Sequence, residues 1–295
     1  MSTAASTVRD WWPGDRAELE SRLDALVREN RFTISVFFPL NGIVLLLASA
    51  TVAAVPDWLA FTGTLILLGT VVMRSPLVAG LAPLVDRRAA TGIGLLALYA
   101  YAIEYVGVHT GWPYGPFEYG VSLGPMVSGV PLGLPVFFLP LVANAYLLCL
   151  LLLGDRAERG PLRLAAVVAL VLLLDVVLDP GAVALGFWNY EGVTTEGALA
   201  VLAGGGFYGV PLSNYAGWVL SATVAVVTLD LAFDRAALVR RLAECEFMLD
   251  DMVSFVILWG GVNALFGNLV PALVAAGIGV GLVRADRFDA SLLRP

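Results

Sequence analysis

Stretches of about 16–23 apolar residues, separated by clusters of arginine, recur along the whole chain. A run of that length crosses the roughly 30 Å hydrocarbon core of a bilayer as a helix, whereas a core helix of a water-soluble domain is shorter and apolar on one face. Of 295 residues, 59% are hydrophobic and only 14% charged, against about 25% charged in soluble domains. The expected fold is all-α, a polytopic membrane helical bundle. Candidate spans lie near 33–55, 57–73, 91–108, 131–153, 162–180, 211–231, 252–267 and 268–283, the last two short enough to fit one bent helix instead. Arginines occur only at 9–31, 74–88, 156–163, 235–241 and 284–294. Eight spans put every cluster on one side, whereas seven would leave Arg284, Arg287 and Arg294 on the other. The positive-inside rule therefore predicts about eight transmembrane helices in a multi-pass cell-membrane protein, with N- and C-termini cytoplasmic. Residues 75–85 read as an interfacial or re-entrant piece on the inner side. The charged first 30 residues lack the apolar core of a secretory signal. Leu19, Leu23, Leu26 and Asn30 at helical spacing, behind Trp11 and Trp12, fit an amphipathic surface helix as well as a partly disordered tail.

All 17 basic residues are arginine. Without lysine there is no retinal Schiff base, P-loop lysine or lysine nucleophile. One histidine, His109, and two cysteines, Cys149 and Cys245, are too few for a zinc or haem site and form no disulfide framework. Asp250-Asp251 lacks the further acids of a metal-diphosphate motif, so no metal is expected. A net charge of −7 and a pI near 4.7, with arginine in place of lysine, fit a cytoplasm of very high salt, where charge is screened. No basic patch points to nucleic acid.

Two long loops, about 109–130 and 181–210, are rich in aromatics, glycine and proline. Such backbone near a membrane is tolerated where it packs on protein or lines a cavity, although tryptophan and tyrosine also form interfacial belts in membrane proteins generally. Each loop follows a helix bearing an acid, carries an aromatic cluster (Phe117-Glu118-Tyr119; Trp188-Asn189-Tyr190) and ends in Gly-Val-Pro-Leu (129–132; 209–212). These matches indicate a weak internal repeat of helix–loop–helix units. Glu104 lies late in its span, one turn beyond Tyr101, and Asp175 and Asp179 share a helix face at i, i+4. Carboxyls in spans cost about 2.5–3.5 kcal/mol at the centre and commonly mark a pathway or reaction site, although Asp179-Pro180 also fits plain helix termination. Asn144 lies mid-span, where an interhelical hydrogen bond is the simpler reading, and Asn214 and Tyr215 open a span. Asp230 and Asp234 read as a solvated face.

The motifs Glu104-Tyr105-x-Gly107-x-x-Thr110-Gly111, Pro113-Tyr114-Gly115-Pro116-Phe117-x-Tyr119, Leu178-Asp179-Pro180, Phe187-Trp188-x-Tyr190 and Tyr208-Gly209-Val210-Pro211-x-x-Asn214-Tyr215-x-Gly217-Trp218 resemble the integral-membrane carotenoid hydratases. Within them the resemblance is to the haloarchaeal bisanhydrobacterioruberin hydratase branch, and it covers roughly residues 31–285. It implies a hydro-lyase that adds water to the terminal isoprenoid C=C bonds of a fifty-carbon carotenoid. It also implies a transmembrane catalytic domain over 31–285, between a cytoplasmic amphipathic segment (1–30) and a cytoplasmic tail (286–295). Its partners would be a polyene substrate and membrane lipid, with association with other carotenoid biosynthesis enzymes left open. An acid among Glu104, Asp179 and Asp175 would protonate the alkene to a tertiary cation, and a second carboxylate would take a proton from the attacking water. A carboxylic acid kept neutral beside aromatic faces suits that step. Trp112, Tyr119, Trp188 and Tyr190 would stabilise the cation by cation–π contact, with Asn214, Tyr215, Asn144 and Tyr101 as further substrate contacts. Hydration is redox-neutral, so no cofactor is expected. The alternatives are a carotenoid end-group cyclase and a non-catalytic carotenoid-binding or transport protein.

Overall fold

Asp15 accepts a hydrogen bond from the backbone of Glu18 and thereby caps α1 (Arg16–Glu29). The computed structural model describes residues 15–51, 62–121, 123–193, 197–203 and 205–287; Trp11 and Trp12 lie outside them. A five-residue π-helical segment, Thr33–Phe37, leads into α2 (Phe38–Thr51). Thr62 caps α3 (Gly63–Leu81), and Asp86 caps α4 (Arg87–Thr110), which ends on Gly111 at φ 74°. Then come α5 (Leu134–Leu153), α6 (Gly160–Ala184), α7 (Leu212–Ala232), the short α8 (Arg235–Glu244), α9 (Asp250–Leu265) and α10 (Leu269–Arg284). Among the described residues the loops add short strands: β1 (Phe117–Tyr119), β2 (Met126–Val127), β3 (Val130–Pro131) and β4 (Trp188–Tyr190). The chain is an all-α, multi-pass helical bundle.

Among the described residues six segments are long and apolar enough to cross a membrane, starting at Thr33, Gly63, Arg87, Leu134, Gly160 and Leu212. The expectation of about eight is corrected to six by length. The last two helices hold 16 residues each, about 24 Å at 1.5 Å per residue, short of a 30 Å core. They are not one bent helix either: Gly267, at φ 76°, turns the chain between them, and they pack on each other as a hairpin against α6. The third helix is also corrected. It runs through Pro76 to Leu81, followed by a 3-10 turn at Ala82–Leu84, so most of the expected interfacial piece belongs to the span.

Contacts gather most of the described arginines at one end of the bundle; Arg74 is the exception, lying deeper where α3 lines a cavity, and there it pairs with Asp251 and donates to the Val136 carbonyl. Arg16 donates to the Ala82 carbonyl, Arg241 to both Gly80 O and Asp24, and Arg287 to Cys245 O and Leu242 O. Arg31 grips buried Asp250 with two nitrogens, at 2.8 and 3.1 Å. Asp230 is not a solvated face. It is held by Arg163 at 2.5 and 2.9 Å and by the Tyr146 hydroxyl at 2.5 Å, whereas Asp234 caps α8.

The internal repeat has a three-dimensional counterpart. The pairs α4–α5 and α6–α7 form a four-helix unit in which α4 packs on α5 and α7, and α6 on α7 and α5. At the loop end β1 and β4 pair antiparallel, Phe117 opposite Tyr190 and Tyr119 opposite Trp188, about the central pair Glu118 and Asn189. Flanking bonds match: Gly120 N–H donates to Phe187 O and Glu191 N–H to Pro116 O, each at 2.9 Å. Each half then makes the same tight turn, Ser128-Gly129 at φ 50° and 82°, and Tyr208-Gly209 at φ 50° and 81°. Positive φ at both central residues is the type I′ pattern, and it closes Val127 on Val130 and Phe207 on Val210. The two halves are thus related by a local twofold axis through the β1–β4 pair.

Arg163, 5% exposed, is the buried member of its pair with Asp230, whose side chain keeps 28% exposure and a hydrogen bond from Tyr146. Asp230→Leu, which leaves the guanidinium unpaired, should cost about 3 kcal/mol, measured as a lower unfolding midpoint in detergent, and the double variant Arg163→Met/Asp230→Leu should recover part of it.

Candidate active site

The β1–β4 pairing places two phenols over two acids. The Tyr119 hydroxyl donates to Glu104 Oε1 on α4, and the Tyr190 hydroxyl donates to Asp179 Oδ2 on α6 at 2.9 Å. Tyrosines at equivalent positions of the two halves therefore each hold an acid from their own half. Gly120 is required for this approach, because a Cβ there would lie 2.2 Å from the Gly186 carbonyl oxygen. Burial, and after it the neighbouring acids, pushes both phenols well above the ordinary tyrosine value, so they remain neutral donors.

The symmetry is broken on the α6 side. Asn214, 2% exposed at the start of α7, donates through Nδ2 to Asp175 Oδ2 at 2.8 Å and Asp179 Oδ2 at 2.6 Å. Asp175 is fully buried and its Oδ1 has no hydrogen-bond partner. Among the described residues no arginine hydrogen-bonds to Glu104, Asp175 or Asp179. Every donor to them is a neutral amide or phenol, in contrast to Asp230, Asp250 and Asp251, each of which is paired with an arginine.

Glu104 and Asp179 open onto one cavity of about 530 Å³. Tyr119, Trp188, Tyr190 and Asn214 share its wall, together with aromatics to which no role was assigned from sequence: Tyr114, Phe117, Phe138, Phe187, Trp218 and Trp259. The rings interlock, with Phe138 stacked on Trp218 at 5.7 Å and Tyr119 edge-on to Trp188 at 6.5 Å. Tyr114 is fixed by its hydroxyl at 2.7 Å from Ser221 Oγ. The clusters around Phe117 and Gly217-Trp218 were the available signal for these walls, but periodicity alone does not say which rings turn inward.

The remaining candidates lie elsewhere. Asp175 sits behind Asn214 and does not line the cavity. Asn144 donates to Asp251 Oδ2 at 2.6 Å, and Arg74 pairs with the other oxygen of the same carboxylate. Tyr101 bonds the Leu132 carbonyl beside a separate crevice, Tyr215 packs on Phe207, and Trp112 is 58% exposed. Among the described residues no three His, Cys, Asp or Glu side chains are grouped to hold a metal ion.

Asn214→Leu removes the named donor to Asp175 and one of two to Asp179. A buried acceptor left unsatisfied costs about 1–3 kcal/mol, so the variant should unfold at lower temperature in detergent than Tyr215→Phe, whose hydroxyl has no partner to lose.

Residues 61–282 match the family described as "Carotenoid biosynthesis protein". The chain is 57% identical over 288 residues to the bisanhydrobacterioruberin hydratase of Haloarcula japonica, an alignment that covers 97% of this chain and 94% of that protein. No solved structure matches. With the family matched over most of the chain and such a relative over nearly all of it, the chain belongs to the carotenoid biosynthesis protein family.

Proposed function

We propose that this chain is a bisanhydrobacterioruberin hydratase, adding one water to the terminal isoprenoid double bond at each end of a fifty-carbon carotenoid to give bacterioruberin. The near full-length similarity to a protein of that name supports the substrate. The observation that carries the chemistry is a pair of acids from different helices, Glu104 and Asp179, on one aromatic-walled cavity and, among the described residues, with no arginine hydrogen-bonded to them; Arg74, on the same wall, is taken by Asp251.

Hydration needs a proton on carbon before oxygen arrives. One of the two carboxyls transfers its proton to the less substituted alkene carbon, forming the C–H bond and leaving a tertiary cation. Trp188, Tyr119, Tyr190 and Phe117 present ring faces or edges around the cavity, and a ring face over a desolvated cation contributes about 2 kcal/mol or more. Water then forms the C–O bond while the other carboxyl takes the released proton. Return of that proton between the acids resets the site. The indole N–H of Trp188, buried in the wall without a hydrogen-bond partner, is a donor available to the attacking water. Exclusion of bulk water by the apolar walls prolongs the cation and makes each dipole around it more effective. Asp175 acts from behind, through Asn214, on the position of Asp179.

The arginine-rich end carries both ends of the described chain, and by the positive-inside rule it faces the cytoplasm. The acids and aromatic loops then lie toward the opposite face, with residues 31–285 as the catalytic domain.

Bisanhydrobacterioruberin supplied to the chain in detergent should gain the mass of one and then two waters. Glu104→Gln and Asp179→Asn should each slow this by about 10²–10⁴-fold, the range of a lost general acid or base, and Tyr119→Phe by less. Full activity in both acid variants would remove the acids from the mechanism, and an isomer of unchanged mass would identify a cyclase.

A further inference from the structure

The cavity is walled by α2–α7 and α9 and the loops between, yet among the described residues its exposed lining residues all come from the α2 segment and α3 with its cap. Phe37, Phe38, Asn41 and Leu45 belong to the α2 segment, and Thr62, Leu65 and Leu68 to α3 with its cap; the lining residues from other elements are buried or half-buried. The loop end is closed by Tyr114, Tyr119, Pro131 and Trp188, none of them exposed. Solvent exposure on the flank of a membrane helix means contact with lipid, and the exposed rim is mostly apolar: Phe37 53%, Leu45 41%, Leu65 49% and Leu68 58%. The wall is thin there because α2 leans on α9, whereas α3 leans on α5 and α9. Gly69, on the α3 side of the cavity, has nothing within 4 Å of where a Cβ would stand.

We propose that the substrate enters sideways, from the bilayer, through this mouth between α2 and α3, and that Phe38, Leu45, Leu65 and Leu68 hold the length of polyene that remains outside while one end reaches Glu104 and Asp179. The proposal rests on the hydratase reading for the identity of the occupant. A substrate as apolar as a long polyene resides in the bilayer core, so a lateral path spares it transfer through water, which is disfavoured in proportion to the apolar surface exposed. Cavities of this size hold drug-sized molecules, which matches an end group with a stretch of chain beside it. A molecule with two equivalent ends is then processed one end at a time, and it leaves by the same mouth before the second end enters.

The mouth is tested by blocking it after folding. Leu65→Cys, purified in detergent and labelled with a bulky apolar maleimide, is compared with the same sample before labelling; Cys149 and Cys245 are buried and do not compete. Gly94→Cys, exposed on α4 away from the cavity, is labelled as the control. Two readouts are taken: uptake of bisanhydrobacterioruberin, as pigment co-eluting with the protein, and gain of water by mass. Labelling at position 65 should reduce both at least tenfold, and labelling at position 94 should leave both within twofold. Gly69→Trp, which fills the same opening, should also reduce uptake. Undiminished uptake in fully labelled Leu65→Cys, or in folded Gly69→Trp, would overturn the lateral mouth. Pigment taken up by the unmodified chain without gain of water would strike the hydratase reading instead, and the labelling comparison would still decide the path.

Discussion

Three carboxyl groups share the apolar interior of this bundle with no arginine among their hydrogen-bond partners in the described residues, and the structure around them follows from that constraint. An unpaired buried charge is costly by several kcal/mol, and natural proteins ordinarily answer with a counter-ion. The same chain does so three times, at Asp230, Asp250 and Asp251. Around Glu104, Asp175 and Asp179 it instead provides phenols and one carboxamide. Neutral donors satisfy oxygen without fixing a negative charge, so a proton can come and go. An arginine in their place would hold the carboxylate charged, which would not serve the proton transfer proposed above.

The local twofold axis explains how so few residues build the site. A helix–loop–helix unit with an acid on its first helix and an aromatic strand in its loop places one tyrosine near one acid. Two such units, joined strand to strand through Glu118 and Asn189, bring two acids to one cavity. What is not repeated is informative. Asn214 and the second aspartate occur on one side only, so two halves of like construction bring two differently held acids to the cavity, which in the proposed reaction would meet the substrate. That asymmetry is what a reaction needs when one group gives a proton and another takes one.

Much of this was legible in the sequence, and the limits have physical causes. Apolar run length located the helices, but a threshold near membrane thickness does not separate a span from a 16-residue helix of a hairpin such as α9–α10. Charge in spans singled out Glu104, Asp175 and Asp179, because burying them needs a reason. It did not rank them, since i, i+4 spacing puts Asp175 and Asp179 on one face while only Asp179 reaches the cavity. Asn144 illustrates the hardest case. A lone polar residue in an all-apolar helix has no periodicity to orient it, and its partner, Asp251, is 107 residues away. Likewise Trp112 and Trp188 carry the same local signal of an aromatic among glycines and prolines, and only strand pairing separates the exposed ring from the one in the wall.

The most direct test of proton transfer from a buried carboxyl to carbon is to run the reaction in heavy water and analyse the product by mass spectrometry after back-exchange into ordinary water. Each hydroxyl gained should be accompanied by one deuterium that does not wash out, located on the carbon next to the one bearing the new oxygen. A product that gains oxygen with no carbon-bound deuterium would contradict protonation as the first step.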